Sequence, residues 1–239
     1  MLANRSSIPQ TYEIRAEGEA GEQALVIPAL LHVDAGASSN FEVSILPHEF
    51  VALDLETSGL SPQTNSIIEV GVARYLDTEV VDTYSSLVWL DEELDPFVTF
   101  LTGITQAMLQ NAPGLNSVLL DVIARLRGLP VVTYSVNQFD QRFLESAAKS
   151  AGVELPILEW VNAYTWAQEA FPTLPSHRLD AVASSLGAGT QEHRALADAT
   201  LTGQAFLECL KQLGSTVTVS VWTAGHPLPV ASVSLPIDH

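Results

Sequence analysis

The sequence predicts an α/β fold, a mixed sheet of antiparallel and parallel strands flanked by helices. Three observations carry that expectation. Three strand-like runs, EFVALDLE (49–56), SIIEVGVARYL (66–76) and VVDTYSSLVWL (80–90), follow one another across short turns, as an antiparallel meander does. A later strand, LPVVTYSV (129–136), leads directly into a helical pattern. From there onward the chain is mostly helical, so the helices have a sheet to cover.

The elements follow in order. Up to about Pro47, ALVIPALLHV (24–33) and FEVSIL (41–46) read as short strands around a Gly-Ala-Ser-Ser turn, after the polar stretch AEGEAGEQ. In the central part the second and third runs of the meander are divided by Asp77-Thr78-Glu79. From about Ala112 to Gly128, Val118, Leu119, Val122, Ile123 and Leu126 recur at helical spacing. Gln138 to Ala151 reads as a helix stopped by Gly152. Further helices are expected near Tyr164–Ala170, Leu179–Leu186 and Ala195–Leu213. In the last helix Leu196, Leu201, Ala205 and Phe206 are expected on the core side. Beyond Gly214, STVTVSVW (215–222) looks like a strand and PVASVSL (229–235) like another, with pairing to the N-terminal strands as one arrangement. Three segments result: an N-terminal extension 1–47, a central domain 48–214 and a β-rich C-terminal extension 215–239.

The 239 residues, 47% hydrophobic and 16% charged, supply a sizeable core and exclude a disordered chain. A single cysteine, Cys209, excludes an internal disulfide or a multi-cysteine zinc site, and its apolar surroundings point to burial. The opening MLANRSSIPQ has no apolar h-region, and the run from Ala24 to Val33 is too short for a bilayer; a cytoplasmic protein without membrane attachment is expected. With 28 acidic and 10 basic residues the formal charge is −18, which excludes tight coating of duplex nucleic acid through phosphate contacts. Eight of the ten basic residues lie between His48 and Gly214.

Chemistry concentrates at three places. Asp54 and Glu56 stand two apart at the end of an apolar strand, so both carboxylates point to one face. Like charges this close raise each other's pKa unless a cation separates them, and a hard divalent ion prefers such oxygens. Gly59 follows and permits a sharp turn. Asp140 comes at the start of the helix after LPVVTYSV, where the helix dipole also favours an anion. Phe139 before it suits either the core or a stacking platform for a base. His193 precedes the last long helix, and Asp198 sits in that helix's first turns among alanines, where an unpaired charge is costly. Histidine's ordinary pKa of about 6.5 suits a general base near neutral pH. Each place alone has an ordinary structural reading: acids at a strand end, an acid at a helix start, a loop histidine.

Together, in order and spacing, they resemble the three motifs of the DEDDh 3′→5′ exonucleases: acid-x-acid-Thr-Ser-Gly at 54–59, Phe139-Asp140, and His193 separated by four residues from Asp198. SIIEVGVARYL, LTGITQAML with Ala112-Pro113, and HRLDAVASSLG (177–187) are similar to the family's intervening segments. The likeness spans roughly 48–214 and looks nearest to the proofreading epsilon subunit of bacterial DNA polymerase III and its stand-alone relatives. It implies an RNase H-like sheet and two divalent ions, Mg²⁺ or Mn²⁺, held by Asp54, Glu56, Asp140 and Asp198. His193 is then the general base. Thr57, Leu60 and Phe139 match positions that hold the terminal nucleotide. The implied activity is release of nucleoside 5′-monophosphates from 3′ ends of single-stranded nucleic acid, DNA over RNA.

The chain departs from the pattern at Ser135-Val136-Asn137, where relatives often carry His-Asn-Ala, and at Thr102, where a His is common. Both concern the grip on the nucleotide. No sliding-clamp-binding peptide or epsilon-like polymerase-binding tail is visible, so a stand-alone nuclease is expected over a dedicated proofreader. Two alternatives stay open: an RNA 3′-end exonuclease, because no 2′-OH contact can be located, and a catalytically silent module binding nucleic acid or a partner.

Overall fold

The computed structural model describes residues 12–16, 23–27, 40–44, 49–188, 191–213, 216–221 and 231–233. In chain order the elements are β1 (Tyr12–Ala16), β2 (Gln23–Ile27), β3 (Asn40–Ser44), β4 (Glu49–Thr57), β5 (Ile67–Leu76) and β6 (Glu79–Leu87). Then come α1 (Pro96–Thr102), α2 (Gln106–Leu109), α3 (Leu115–Leu126), β7 (Pro130–Thr133), α4 (Phe139–Ala151), β8 (Glu159–Asn162), α5 (Ala163–Ala170), α6 (Leu179–Leu186), α7 (Ala195–Gln212), β9 (Thr216–Val221) and β10 (Ala231–Val233).

Two compact units result, residues 49–213 and a discontinuous unit of 1–48 with 214–239. The larger unit is therefore inserted in sequence between β3 and β9. In the smaller unit the strands form one sheet, ordered β2-β1-β10-β9-β3. The C-terminal strands do pair with N-terminal ones: β1 runs parallel to β10, and β3 antiparallel to β9. The expected Gly-Ala-Ser-Ser turn lies outside the described residues.

The larger unit holds a five-stranded sheet ordered β6-β5-β4-β7-β8. β4, β5 and β6 form the antiparallel meander, while β7 and β8 add in parallel to β4. β4 is central and buried on both faces, which explains its apolar Phe50-Val51-Ala52-Leu53 run. Val51, Leu53 and Leu55 pack with Val118, Leu119, Val122, Ile123 and Leu126 of α3 and with Phe143 and Leu144 of α4. Phe50, in the alternate register, stacks on Tyr75 at 4.7 Å and meets Phe206 of α7 edge-on at 5.4 Å. Asp54 and Glu56 share that register and therefore point to the α7 side.

Several elements differ from expectation. α1, α2 and β8 span seven, four and four residues, too short for periodicity to show. β7 ends at Thr133, leaving Tyr134 and Ser135 as loop before a short 3-10 turn, Val136–Gln138. The helix expected from Gln138 begins at Phe139, because Gln138 has φ 56° and Asn137 φ 60°, both left-handed. Leu196 is only half-buried, whereas Leu201, Ala205 and Phe206 are in the core. Cys209 is fully buried. Among the described residues no helix is long and apolar enough to cross a membrane.

Candidate active site

Parallel pairing of β4 and β7 brings their C-terminal ends to the same edge of the sheet. Ligand sites of open α/β sheets form at that edge. Asp54 and Glu56 close β4, and Asp140 lies in the first turn of α4, just past β7. Across the antiparallel partner, Asp54 faces Gly71 and Glu56 faces Glu69. At Gly71 an added Cβ would lie 2.0 Å from the Ala195 carbonyl carbon and 2.2 Å from Leu196 N. The first turn of α7 thus rests directly on β5, and only glycine allows it. That contact delivers His193 and Asp198 to the two strand carboxylates. Ligand atoms of Glu56, His193 and Asp198 all come within 4.8 Å of one another.

An open cleft of about 310 Å³ unites the site, lined by Asp54, Glu56, Phe139, Asp140 and His193 together with Tyr134, Ser135 and Gln191. Asp198 is buried beneath its rim, 1% exposed, where its carboxylate accepts from the N–H of Glu192 at 3.0 Å and of His193 at 3.1 Å. His193 has a left-handed backbone, φ 52°. For a β-carbon-bearing residue this costs roughly 1–2 kcal/mol, so the surroundings must hold it.

Of the residues expected to grip a nucleotide, Phe139 lines the cleft and leans on Phe143, ring centroids 4.7 Å apart. Thr57 donates its hydroxyl to the Gly59 carbonyl at 2.7 Å, shaping the turn. Leu60 lies outside the cleft's lining and is 86% exposed. Thr102, where a His was noted as common, is buried; its hydroxyl donates to Val98 O and accepts from Ile104 N. It therefore caps a turn and is not free for a nucleotide.

One feature of the site was not read from the sequence. Glu69, 2% exposed, receives the Arg194 guanidinium at 2.7 Å and the Ala195 N–H at 3.0 Å. The signal was an acid inside the apolar run SIIEVGVARYL and an arginine beside the histidine.

The carboxylates raise each other's affinity for protons. Burial, then Asp140, Glu56 and Asp198, push Asp54 well above the usual carboxylate range. Burial, with Asp198 and Glu69, lifts Glu56 from 4.5 to about 8, against a lowering pull from Arg194. Burial lifts Asp140 from 3.8 to about 6, opposed first by the Ser135 hydroxyl, which is buried without good hydrogen-bond geometry, and then by backbone N–H groups. Asp198 is also raised by burial, offset by the backbone N–H of Glu192 first.

Such crowding, with oxygen donors and one imidazole in reach of a common point, fits a divalent cation. A measurable consequence follows. The folded chain holds protons on Asp140 and Glu56 that the unfolded chain has released, so their stabilising contribution is full below about pH 4. It is lost as pH rises through about 6 and then about 8. In EDTA, Tm is expected to fall between pH 5 and pH 8. Added Mg²⁺ or Mn²⁺ should restore more Tm at pH 8 than at pH 5. A metal effect independent of pH, read by scanning fluorimetry, contradicts this account.

Comparison with known proteins agrees with that geometry. The family model described as Exonuclease (RNase_T) matches residues 51–206. A PolC-type DNA polymerase III of Thermotoga petrophila is 35% identical over 224 residues, 89% of this chain and 16% of the polymerase. The 3′-5′ exonuclease DinG of Staphylococcus epidermidis is 30% identical over 164 residues, 68% of this chain and 18% of DinG. The chain thus spans less than a fifth of the length of these relatives. Among solved structures, the nuclease domain of 3′hExo, a DEDDh family member bound to rAMP, superposes with TM-score 0.60 at 22% identity, covering 72% of this chain and 96% of that domain. Exonuclease X with 5′ overhanging duplex DNA gives TM-score 0.54 at 24% identity, covering 68% and 91%. At these identities the two structures share the fold.

Proposed function

The chain belongs to the exonuclease family, of the DEDDh type with an RNase H-like sheet, and on that premise we propose that it hydrolyses nucleic acid from the 3′ end. The observation that carries this is the convergence of Asp54, Glu56, Asp140 and His193 on one cleft, with Asp198 beneath it. Asp54, Glu56, Asp140 and Asp198 are the residues that would hold two divalent ions, which when bound supply charge to the attacking and leaving oxygens.

The protein's own groups do the rest. A water oxygen attacks the last phosphodiester phosphorus, and the bond to the 3′ oxygen of the preceding nucleotide breaks. His193 takes the water's proton, and the leaving 3′ oxygen takes one from solvent. A nucleoside 5′-monophosphate and a shortened 3′-hydroxyl end result. Asp198 orients His193 by accepting its backbone N–H. Phe139, which lines the cleft, would stack on a terminal base, and Thr57 stiffens the turn that follows the strand carboxylates.

DNA is favoured as substrate because the relatives that reach 30–35% identity bear the names DNA polymerase III and 3′-5′ exonuclease DinG. The PolC-type likeness also supports work beside a DNA polymerase, testable by co-elution with the replicative polymerase. A 5′-labelled single strand, as DNA and as RNA, incubated in Mg²⁺, Mn²⁺ and EDTA decides the reading. A ladder shortening from the 3′ end, absent in EDTA and faster on DNA, is expected. An intact oligonucleotide under every metal refutes it.

The net charge of −18 adds a further expectation. With few cations to hold the strand, binding should be weak and dissociation frequent. Against an excess of unlabelled competitor, most molecules should release after one or a few nucleotides, and raising salt from 50 to 200 mM should slow turnover by no more than about tenfold, because few phosphate contacts release few counterions. Long processive runs at the higher salt run against this.

A further inference from the structure

We propose that Glu69 and Arg194 form a positioning clamp for His193, so that the pair acts on the reaction through the histidine and not as a metal ligand. This rests on the exonuclease reading of the site. Glu69 stands directly across from Glu56 in the sheet register, in the position nearest the catalytic carboxylates. Cross-strand partners of this kind have Cβ atoms about 4.5–5.5 Å apart. An acid there is expected to join the cation site. Its bonds say otherwise: Oε1 and Oε2 both accept from Arg194, at 2.7 to 3.3 Å, and Oε2 also accepts from Ala195 N. Both oxygens are committed to the two residues that follow His193.

His193 is consequently gripped from both sides by buried carboxylates. Asp198 takes the N–H groups of Glu192 and His193, and Glu69 takes the side chain of Arg194 and the N–H of Ala195. Between these grips the left-handed backbone of His193 has no freedom to relax. The Ala195 peptide is pressed onto Gly71, the next residue of β5 on the same face, which fixes the clamp to the sheet. Arg194 is a serviceable half of such a clamp because its planar fork can engage a carboxylate through two nitrogens, which lysine cannot do. Its side chain remains 46% exposed, so it can be replaced without opening a cavity in the core.

A double-mutant cycle tests the clamp in the full chain, with Mg²⁺ and a labelled oligonucleotide. Single-turnover courses are followed for hours, so that the slow His193→Ala background stays measurable. Glu69→Gln and Arg194→Gln are each expected to lower kcat about tenfold or more, with KM within about twofold, because placement of the general base is what changes. Arg194→Lys should recover only part of the loss. In the His193→Ala background the same two substitutions should change kcat less than about twofold, since a clamp without its histidine has nothing to position. Calorimetric metal affinity of Arg194→Gln should stay near wild type; its Tm should fall, because Glu69 is left buried without its cation, so the cycle is run well below the variants' Tm. Equal losses with and without His193, or a Glu69→Gln or Arg194→Gln protein as fast as wild type, overturn the clamp and leave a structural staple. An inert wild type removes the exonuclease reading and the clamp with it.

Discussion

Replacing Asp54 by Asn is expected to abolish exonuclease activity, by on the order of 10³-fold or more, while making the metal-free protein more stable. The two signs come from the same place. Asp54 is partly withdrawn from water and pressed by Asp140, Glu56 and Asp198, so its charge is unfavourable until a cation joins them. Asparagine keeps the shape and removes the charge. A divalent ion then loses a ligand at the centre of the cluster, and several kcal/mol of transition-state stabilisation go with it; each 1.36 kcal/mol is a factor of ten in rate. Without metal, the neighbours lose a repelling partner. Tm in EDTA at pH 8 should rise by about 2–4 °C for every kcal/mol relieved. The gain should shrink as pH is lowered, because the raised pKa lets the wild-type carboxyl take up its proton more readily than a free one. Activity within tenfold of wild type, or a Tm that falls at pH 8, would show Asp54 to be an ordinary structural acid.

Gly71→Ala is expected to damage stability and activity together. The methyl would sit 2.0 Å from the Ala195 carbonyl carbon and 2.2 Å from its oxygen, both backbone atoms in the first turn of α7. Gly59 offers a contrast of degree, since the atoms nearest a methyl there belong to the side chain of Asn65, which can yield at the cost of the hydrogen bond it accepts from Ser61 N. Overpacking of this kind costs about 1–3 kcal/mol, roughly 2–12 °C in Tm for a domain of this size. α7 must lift from β5, and His193 and Asp198 move with it. A displacement of about 1 Å at such a site costs on the order of 10²-fold in rate. Gly71→Ala should therefore lose far more activity at 25 °C than the fraction unfolded accounts for. Gly59→Ala should lose less Tm than Gly71→Ala and little activity, because only a side chain has to give way. Equal behaviour of the two variants would mean that the α7–β5 approach does not set the site.

The sequence by itself determined the larger unit's fold and the residues to consider. The apolar runs of β4 and β5 are buried strands because both faces of a central strand must be apolar, a pattern that needs only nearest neighbours to read. The helices at 139–151, 179–186 and 195–212 carry their periodicity and, at Gly152 and Gly187, left-handed C-terminal stops. The carboxylates and the histidine were legible because their spacing is unusual as a set. The short α1, α2 and β8 were not, since four to seven residues hold too few repeats to distinguish one period from another.

Tertiary structure alone decided how those residues meet. That β4 and β7 run parallel, placing Asp140 beside Asp54, is a pairing between segments about 80 residues apart and leaves no local trace. Glu69 read as one acid in an apolar strand, and Arg194 as a neighbour of the histidine. Only folding shows that they grip each other across 125 residues of chain. The same holds for Gly71, whose missing side chain makes room for the start of α7. Local propensity writes elements into a sequence; the contacts that aim catalytic groups are made between elements, where geometry rather than adjacency sets the partner.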